Sequence, residues 1–291
     1  MQLNATTRYY CFIKVLSFIA KLNFNSCFLL REFQKLHSAF KFVDTENRFD
    51  QEYEVLAQIK EEGKHLLVRD ADIVYETSDW VDSLIKLQEF FLDDFIGFTR
   101  DQYYLLHSAI VVKNGKAILL PGASRSGKST LCIALLKNGF KYISDEIAAI
   151  DLKTFRASGF PRAISIREKT LRLFPTLNPE INCCQYQLLN TRGISKICYG
   201  IPYKGNLASM NKFFPLSAIV FPKYNTKGRT VLHEVSHSSL AIYNLMECSI
   251  NQLWLKEKGF RTATGLVKRT NCYNLQTNNL AEACEIINRI I

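Results

Sequence analysis

The sequence predicts an α/β fold: a mixed β-sheet flanked by helices around a glycine-loop core, with a small N-terminal α+β region ahead of it. Three observations predict this. An apolar strand run, residues 117–120, passes into Gly122-Ala123-Ser124-Arg125-Ser126-Gly127-Lys128-Ser129-Thr130 and then into an apolar helix over 129–137. Asn114-Gly115 joins that strand to a preceding one over 105–112, and this dipeptide is the strongest two-residue hairpin signal. Short apolar runs and helical stretches then alternate up to a closing amphipathic helix over 280–290. A hairpin feeding straight into the loop requires a mixed sheet, not an all-parallel one. The domain division expected is 1–98 for the N-terminal region and 99–291 for the loop-bearing domain.

In chain order, residues 9–22 place Phe12, Ile13, Leu16 and Ile19 opposite Lys14, Ser17 and Lys21 at helical spacing, which predicts an amphipathic helix packed on the domain. It is too short and too charged to span a bilayer, so no transmembrane segment or secretory signal is expected. Residues 27–42 are apolar without clear periodicity, and 44–52 read as a polar loop. Two short strands, 65–68 and 73–75, flank Asp70-Ala71-Asp72. Thr77-Ser78-Asp79 then supplies an N-cap for a helix over 79–92, where Trp80, Leu84, Leu87, Phe91 and Phe95 recur every three or four residues. No catalytic constellation is visible in this region.

The hairpin register can be counted. With Asn114-Gly115 as the turn, Lys113 faces Lys116, Val111 faces Ile118 and Ala109 faces Leu120, so His107 falls opposite Gly122. The segment Gly122–Thr130 carries the phosphate-binding spacing of a glycine, four residues, then Gly-Lys-Ser. Its glycines let successive backbone N–H groups turn inward toward phosphate oxygens, and the following helix start adds more. Lys128 reaches the β- and γ-phosphates of a nucleotide, and the Ser129 hydroxyl is a Mg²⁺ ligand. Asn138-Gly139 stops the helix, and a strand over 140–144 returns. About ten helical residues at ~1.5 Å cover about 15 Å outward, and about five strand residues at ~3.3 Å cover about 16 Å back. Asp145 and Glu146 therefore return beside the phosphate site, where Mg²⁺ needs carboxylates.

Beyond this pair the signal thins. Residues 160–166 are extended, with Arg162 and Arg167 as candidate contacts to nucleotide or substrate. Residues 177–205 read as loop with short strands facing substrate. Strands are expected over 218–221, 230–235 and 272–275, with a helix over 236–246. His233 and His237 straddle a strand-to-helix boundary and form no metal pair.

Bulk composition sets outer limits. The 291 residues are 47% hydrophobic and 22% charged, ordinary for a globular chain, with a net charge of +10. The positive charges are scattered, so an anionic ligand is expected but no nucleic-acid partner. Nine cysteines, an odd number without a Cys-x-x-Cys pair, point to a reducing cytoplasmic setting with mostly buried thiols.

Taken together, His107 in a strand, the Asn-Gly hairpin, the segment Gly122–Thr130 and Ser144-Asp145-Glu146 resemble the catalytic domain of HPr kinase/phosphorylase. The resemblance extends to the shorter HPr-kinase-related proteins found with peptide-modifying gene clusters. It covers roughly 100–291, with Phe160-Pro161-Arg162 and the closing helix fitting the same layout. It implies a core shared with phosphoenolpyruvate carboxykinase, ATP and Mg²⁺ as cofactors, a serine-bearing peptide or small protein as acceptor, and a homo-oligomer. The family usually has two Asp where this chain has Asp145-Glu146. It carries a Glu before Arg-Gly, which Asn190-Thr191-Arg192-Gly193 lacks. On this reading the amides of Gly122, Ala123, Ser124, Arg125, Ser126, Gly127 and Thr130 and the Lys128 side chain hold the phosphates. Ser129 and Glu146 hold Mg²⁺, Asp145 accepts the hydroxyl proton, and His107 orients Asp145 or the transferred group. Two alternatives share the same residues: a nucleotide-gated regulatory or peptide-docking module with little chemistry, and a small-molecule kinase.

Overall fold

The computed structural model describes residues 9–43, 48–59, 63–174, 181–190, 193–225 and 227–291. The chain divides into two compact units, Met1–Thr99 with Cys183–Ile201, and Arg100–Asn182 with Pro202–Ile291. The later segment Cys183–Ile201 belongs to the same unit as the N-terminal residues.

That unit contains β1 (Tyr9–Val15), β2 (Phe18–Phe24), α1 (Cys27–Leu36), β3 (Lys41–Val43), β4 (Gln51–Ile59), β5 (Lys64–Arg69), β6 (Asp72–Thr77) and α2 (Trp80–Thr99). Its six-stranded sheet has the order β3-β1-β2-β4-β5-β6. The amphipathic helix expected over 9–22 is corrected to the β1–β2 hairpin, with Val15 paired to Phe18 across a two-residue turn. Leu16 takes a positive φ of 54° to make that turn. The reason is packing: Cys11, Phe12, Ile13 and Val15 are all buried, more than one helical stripe can cover, and aromatic and β-branched residues suit a pleated surface. Ser26 caps α1 through its side chain. Asp79 caps α2, its carboxylate accepting from the Val81 amide at 2.8 Å. Helix α2 runs to Thr99 because Phe95 continues the buried stripe begun by Leu84, Leu87 and Phe91. The helices and sheet meet in an aromatic core of Phe18, Phe24, Phe33, Phe91 and Phe95. The expected loop over 44–52 is corrected where β4 begins at Gln51, and its residues 44–47 lie outside the described set.

The second unit is built on β7 (Tyr103–Lys113), β8 (Lys116–Pro121), α3 (Lys128–Lys137), β9 (Lys141–Ser144), β10 (Ile147–Asp151), β11 (Ala157–Gly159), β12 (Ile164–Ile166) and α4 (Glu168–Leu173). Strands β13 (Ile181–Asn190) and β14 (Gly193–Pro202) follow and lie mostly in the N-terminal unit. The chain then closes with β15 (Leu216–Tyr224), β16 (Val231–Glu234), α5 (Ser238–Glu247), α6 (Gln252–Leu255), α7 (Glu257–Arg269), β17 (Asn271–Thr277) and α8 (Leu280–Asn288).

The main sheet has the order β11-β10-β7-β8-β15-β17-β16, with β9 also on β7. It is mixed, as the hairpin requires: β15 runs parallel to β8 and β17, while β7 is antiparallel to β8. Leu106, Ile110, Val112 and Leu119 bury one face of the sheet with Ala241 and Leu245 of α5 and Ala263 and Leu266 of α7. Side chains alternate across a strand, so Val111, Ile118 and Leu120 turn to the other face, where α3 and α8 pack.

Two readings need correction downstream. The loop expected over 177–205 contains the two ten-residue strands β13 and β14. Cys184 and Tyr186 are buried there while Gln185 and Gln187 are exposed, the alternation of a half-buried strand. Residues 175–180, 191 and 192 of that stretch, including Thr191-Arg192, lie outside the described set. The cysteines are not all thiols: Cys183 and Cys198, on these adjacent strands, form a disulfide, while Cys11, Cys27, Cys132, Cys184, Cys248, Cys272 and Cys284 are free. Among the described residues no helix is long and apolar enough to cross a membrane.

Candidate phosphate and metal site

The site lies wholly in the second unit. The β7–β8 hairpin has the counted register, Lys113 opposite Lys116 through Ser108 opposite Pro121, with Asn114 and Gly115 at φ 52° and 75° in the turn. One step further, the Gly122 amide donates to the His107 carbonyl at 3.5 Å. His107 therefore stands at the point where β8 becomes the loop.

Between Gly122 and Lys128 the backbone curls tightly. Arg125 has φ 69°, and Gly127, the N-cap of α3, has φ 101°, a left-handed conformation that glycine adopts without strain. A Cβ on Gly122 would stand 2.8 Å from Ser126 Oγ. Among the described residues the amides of Ala123, Ser124, Arg125 and Gly127 have no backbone acceptor. Ser126 Oγ is buried with no hydrogen-bond partner. Lys128 is buried, and its Nζ donates to the carbonyls of Gly122 at 2.6 Å and Ala123 at 3.0 Å. Burial pushes its pKa down, and the Asp145 carboxyl beside it opposes that. The loop thus carries free amides, an orphaned hydroxyl and an ammonium, the kinds of group an anion requires.

Asp145 and Glu146 occupy the two-residue step between β9 and β10, which lie one after the other on the same edge of β7. Ser144 shapes this step. Its hydroxyl donates to Phe160 O at 2.7 Å and accepts from the amides of Glu146 at 3.3 Å and Ile147 at 3.2 Å. The backbone of β11 comes so near that a Cβ on Gly159 would be 2.6 Å from Ile147 O and 2.7 Å from Ser144 Cβ.

The two carboxylates have different surroundings. Asp145 is buried, and its Oδ1 has no hydrogen-bond partner. Burial pushes its carboxyl up to about 7, the Ser129 hydroxyl beside it pulls it down, Glu146 raises it further, and Lys128 and Arg162 lower it. Glu146 is half-exposed and stands between two bases: Oε1 is 3.6 Å from His107 Nδ1, and Oε2 is 3.6 Å from Arg162. Burial and the nearby Lys128 push the His107 pKa down, against the pull of Glu146.

The sequence assigns Ser129 with Glu146 to the metal and sets His107 beside Asp145. The structure exchanges these neighbours: Ser129 sits by Asp145, and His107 by Glu146. Thr130 contacts Thr170 of α4 through their hydroxyls at 3.1 Å. Arg167, at the N-cap of α4, is exposed. Sequence reasoning missed two supports. The Cys248 carbonyl accepts from the His107 amide at 2.7 Å. Fully buried Asn251 accepts from the Leu105 amide at 2.9 Å and donates to the carbonyls of Arg100 at 2.6 Å and Tyr103 at 2.7 Å. Both follow α5 as an unmarked loop, and no motif signals them. Among the described residues no group of three or more His, Cys, Asp or Glu could hold a metal by itself. Mg²⁺ needs no such group, because it keeps several waters and takes one or two protein ligands with substrate phosphates.

No protein-family model matches the chain, and no curated protein matches it. Among solved structures the chain is similar to the Hpr(Ser) kinase/phosphatase from Coxiella burnetii, at 11% sequence identity and a TM-score of 0.30, over 64% of this chain and 88% of that one. Likeness at that level carries no functional argument.

Proposed function

We propose that the second unit binds a nucleoside triphosphate with Mg²⁺ and transfers the terminal phosphoryl group to a hydroxyl, with a serine of a peptide or small protein as the acceptor class. The observation that carries this reading is the meeting of Asp145 and Glu146 with Lys128 and Ser129 at the mouth of the glycine loop. A pure phosphate binder has no use for two carboxylates beside its anion, since each repels it.

The residues fit the two absent groups. The unpaired loop amides and Ser126 Oγ suit phosphate oxygens. The orphaned Oδ1 of Asp145, buried without a hydrogen-bond partner, suits a cation. We assign Asp145 and the Ser129 hydroxyl to Mg²⁺, which when bound neutralises phosphate charge. Lys128 exchanges its loop carbonyls for β- and γ-phosphate oxygens. Glu146, the more exposed acid, faces the acceptor and takes its hydroxyl proton, with His107 Nδ1 standing 3.6 Å from its Oε1. This reverses the two acids relative to the sequence-level assignment, because the neighbours of each are reversed.

The test uses the purified full chain with γ-labelled ATP and a library of serine peptides, alongside direct titration of MgATP. Lys128→Ala is expected to lose nucleotide affinity, and Glu146→Gln to retain it while losing transfer by about 10²-fold or more. Transfer by Glu146→Gln at a near wild-type rate removes Glu146 as the base. Equal MgATP affinity in wild type and Lys128→Ala removes the nucleotide site altogether.

A further inference from the structure

Arg162 lies in the turn between β11 and β12, and the fold holds it firmly. Its carbonyl accepts from the hydroxyl of fully buried Tyr142 at 2.6 Å, and its amide donates to Phe160 O at 2.9 Å. Pro161 before it fixes the entering φ. The side chain is only 18% exposed. Yet among the described residues its one ion-pair partner, Glu146 Oε2, stands at 3.6 Å, beyond good hydrogen-bond distance. Among those residues the guanidinium donates no hydrogen bond.

A guanidinium carries five N–H donors in a planar fork. The opposing acid occupies one side of the fork at arm's length. The donors left over remain open to a second anion. Asp145, whose Oδ1 is orphaned, lies close enough for the guanidinium charge to lower its pKa.

We propose that Arg162 is a catalytic residue, whose guanidinium grips two oxygens of the phosphoryl group in flight. This rests on the phosphoryl-transfer reading above. The position follows from its neighbour: Glu146 meets the acceptor hydroxyl, so a cation beside Glu146 stands where donor and acceptor meet, beyond the β-phosphate held by Lys128. Planar fork geometry matches a planar, metaphosphate-like group whose charge lies on its equatorial oxygens. In the transfer, the bond from the γ-phosphorus to the β–γ bridging oxygen breaks and a bond to the acceptor oxygen forms. The acceptor proton passes to Glu146, and ADP leaves with the electron pair.

The test avoids the unidentified acceptor by using MgADP with fluoroaluminate, which mimics the planar phosphoryl group. Wild type, Arg162→Gln, Arg162→Lys and Arg167→Gln are titrated with MgADP alone and with MgADP plus fluoroaluminate, and each is checked by near-ultraviolet circular dichroism. Wild type is expected to bind MgADP far more tightly once fluoroaluminate is present. Arg162→Gln is expected to keep MgADP affinity within a few-fold and lose that gain by about 10²-fold or more, on the scale of arginines that stabilise phosphoryl transfer. Arg162→Lys recovers only part, because a point charge lacks the fork. If the gain survives in Arg162→Gln, or is lost in Arg167→Gln instead, Arg162 does not have this role although nucleotide binding stands. If wild type binds no MgADP, the proposed function falls and this inference falls with it.

Discussion

Replacing Asp145 with Asn should make the metal-free protein more stable at alkaline pH, even as it removes a residue assigned to the metal. Burial raises the carboxyl from an ordinary 3.8 to about 7. That difference corresponds to about 4 kcal/mol between its two protonation states. The unfolded chain releases this proton near pH 4, whereas the folded chain keeps it until about 7. Between those values the folded state binds more protons than the unfolded one, so stability falls as pH rises and levels off above the folded pKa. An Asn side chain is close in shape and never ionises, so it escapes the fall. In EDTA at about pH 8, Asp145→Asn should exceed wild type by about 2–4 kcal/mol, and near pH 4 the two should agree within about 1 kcal/mol. Urea denaturation followed by Trp254 fluorescence in a Trp80→Phe background reads the second unit selectively, since Trp254 is in α6 and Trp80 in α2. An advantage that is equal at both pH values would refute the reasoning, as would none at pH 8. Saturating MgATP should narrow the gap, because a cation bound at Asp145 favours the charged form of wild type alone.

Three further outcomes follow from contacts around the site. Gly159→Ala forces a Cβ against Ile147 O and Ser144 Cβ, and should cost about 1–3 kcal/mol of stability in thermal melts and depress transfer by displacing the Asp145-Glu146 step. Asn251→Ala strands the Leu105 amide and the Arg100 and Tyr103 carbonyls, and should lower stability by about 3 kcal/mol, read by urea denaturation. Gly127→Ala places a side chain at φ 101°, and should cost about 1–3 kcal/mol and weaken MgATP binding in a direct titration.

How legible the sequence is depends on how local the controlling physics is. The Asn114-Gly115 turn sets its own φ values, so the β7–β8 register and the place of His107 can be counted from residue spacing alone. Helix α2 announces itself by its cap and stripe, and α3 by the glycine loop before it and the Asn138-Gly139 stop after it. Residues 9–22 do not. Phe12, Ile13, Leu16 and Ile19 satisfy a helical period, but Cys11 and Val15 are also buried, and only the sheet and the helices covering it decide that. Likewise β13 and β14 carry Gly193, Gly200 and Pro202, which read as loop punctuation, yet they run ten residues each.

Within the site, adjacent residues in an extended chain point to opposite sides. Spacing can therefore deliver Asp145 and Glu146 to the loop without saying which one turns inward. That choice is made by Ser144, whose hydroxyl bonds the Glu146 and Ile147 amides, and by Gly159, which lets β11 close on the step. Gly159 belongs to no motif, and the run Ser144-Asp145-Glu146 does not say what the Ser144 hydroxyl bonds. The same step gives one acid a desolvated setting beside Ser129 and the other a half-exposed one between His107 and Arg162. A base must meet a substrate arriving from solvent, whereas a metal ligand is served by a dry, fixed place beside the phosphates. On the proposed reading, exposure, not identity as Asp or Glu, decides which acid does which task. Exchanging the two side chains in an Asp145→Glu, Glu146→Asp double variant should leave the division of labour with the positions. The exposed acid should still serve transfer and the buried one Mg²⁺, read as labelled phosphate on a serine peptide and as Mg²⁺-dependent ATP affinity.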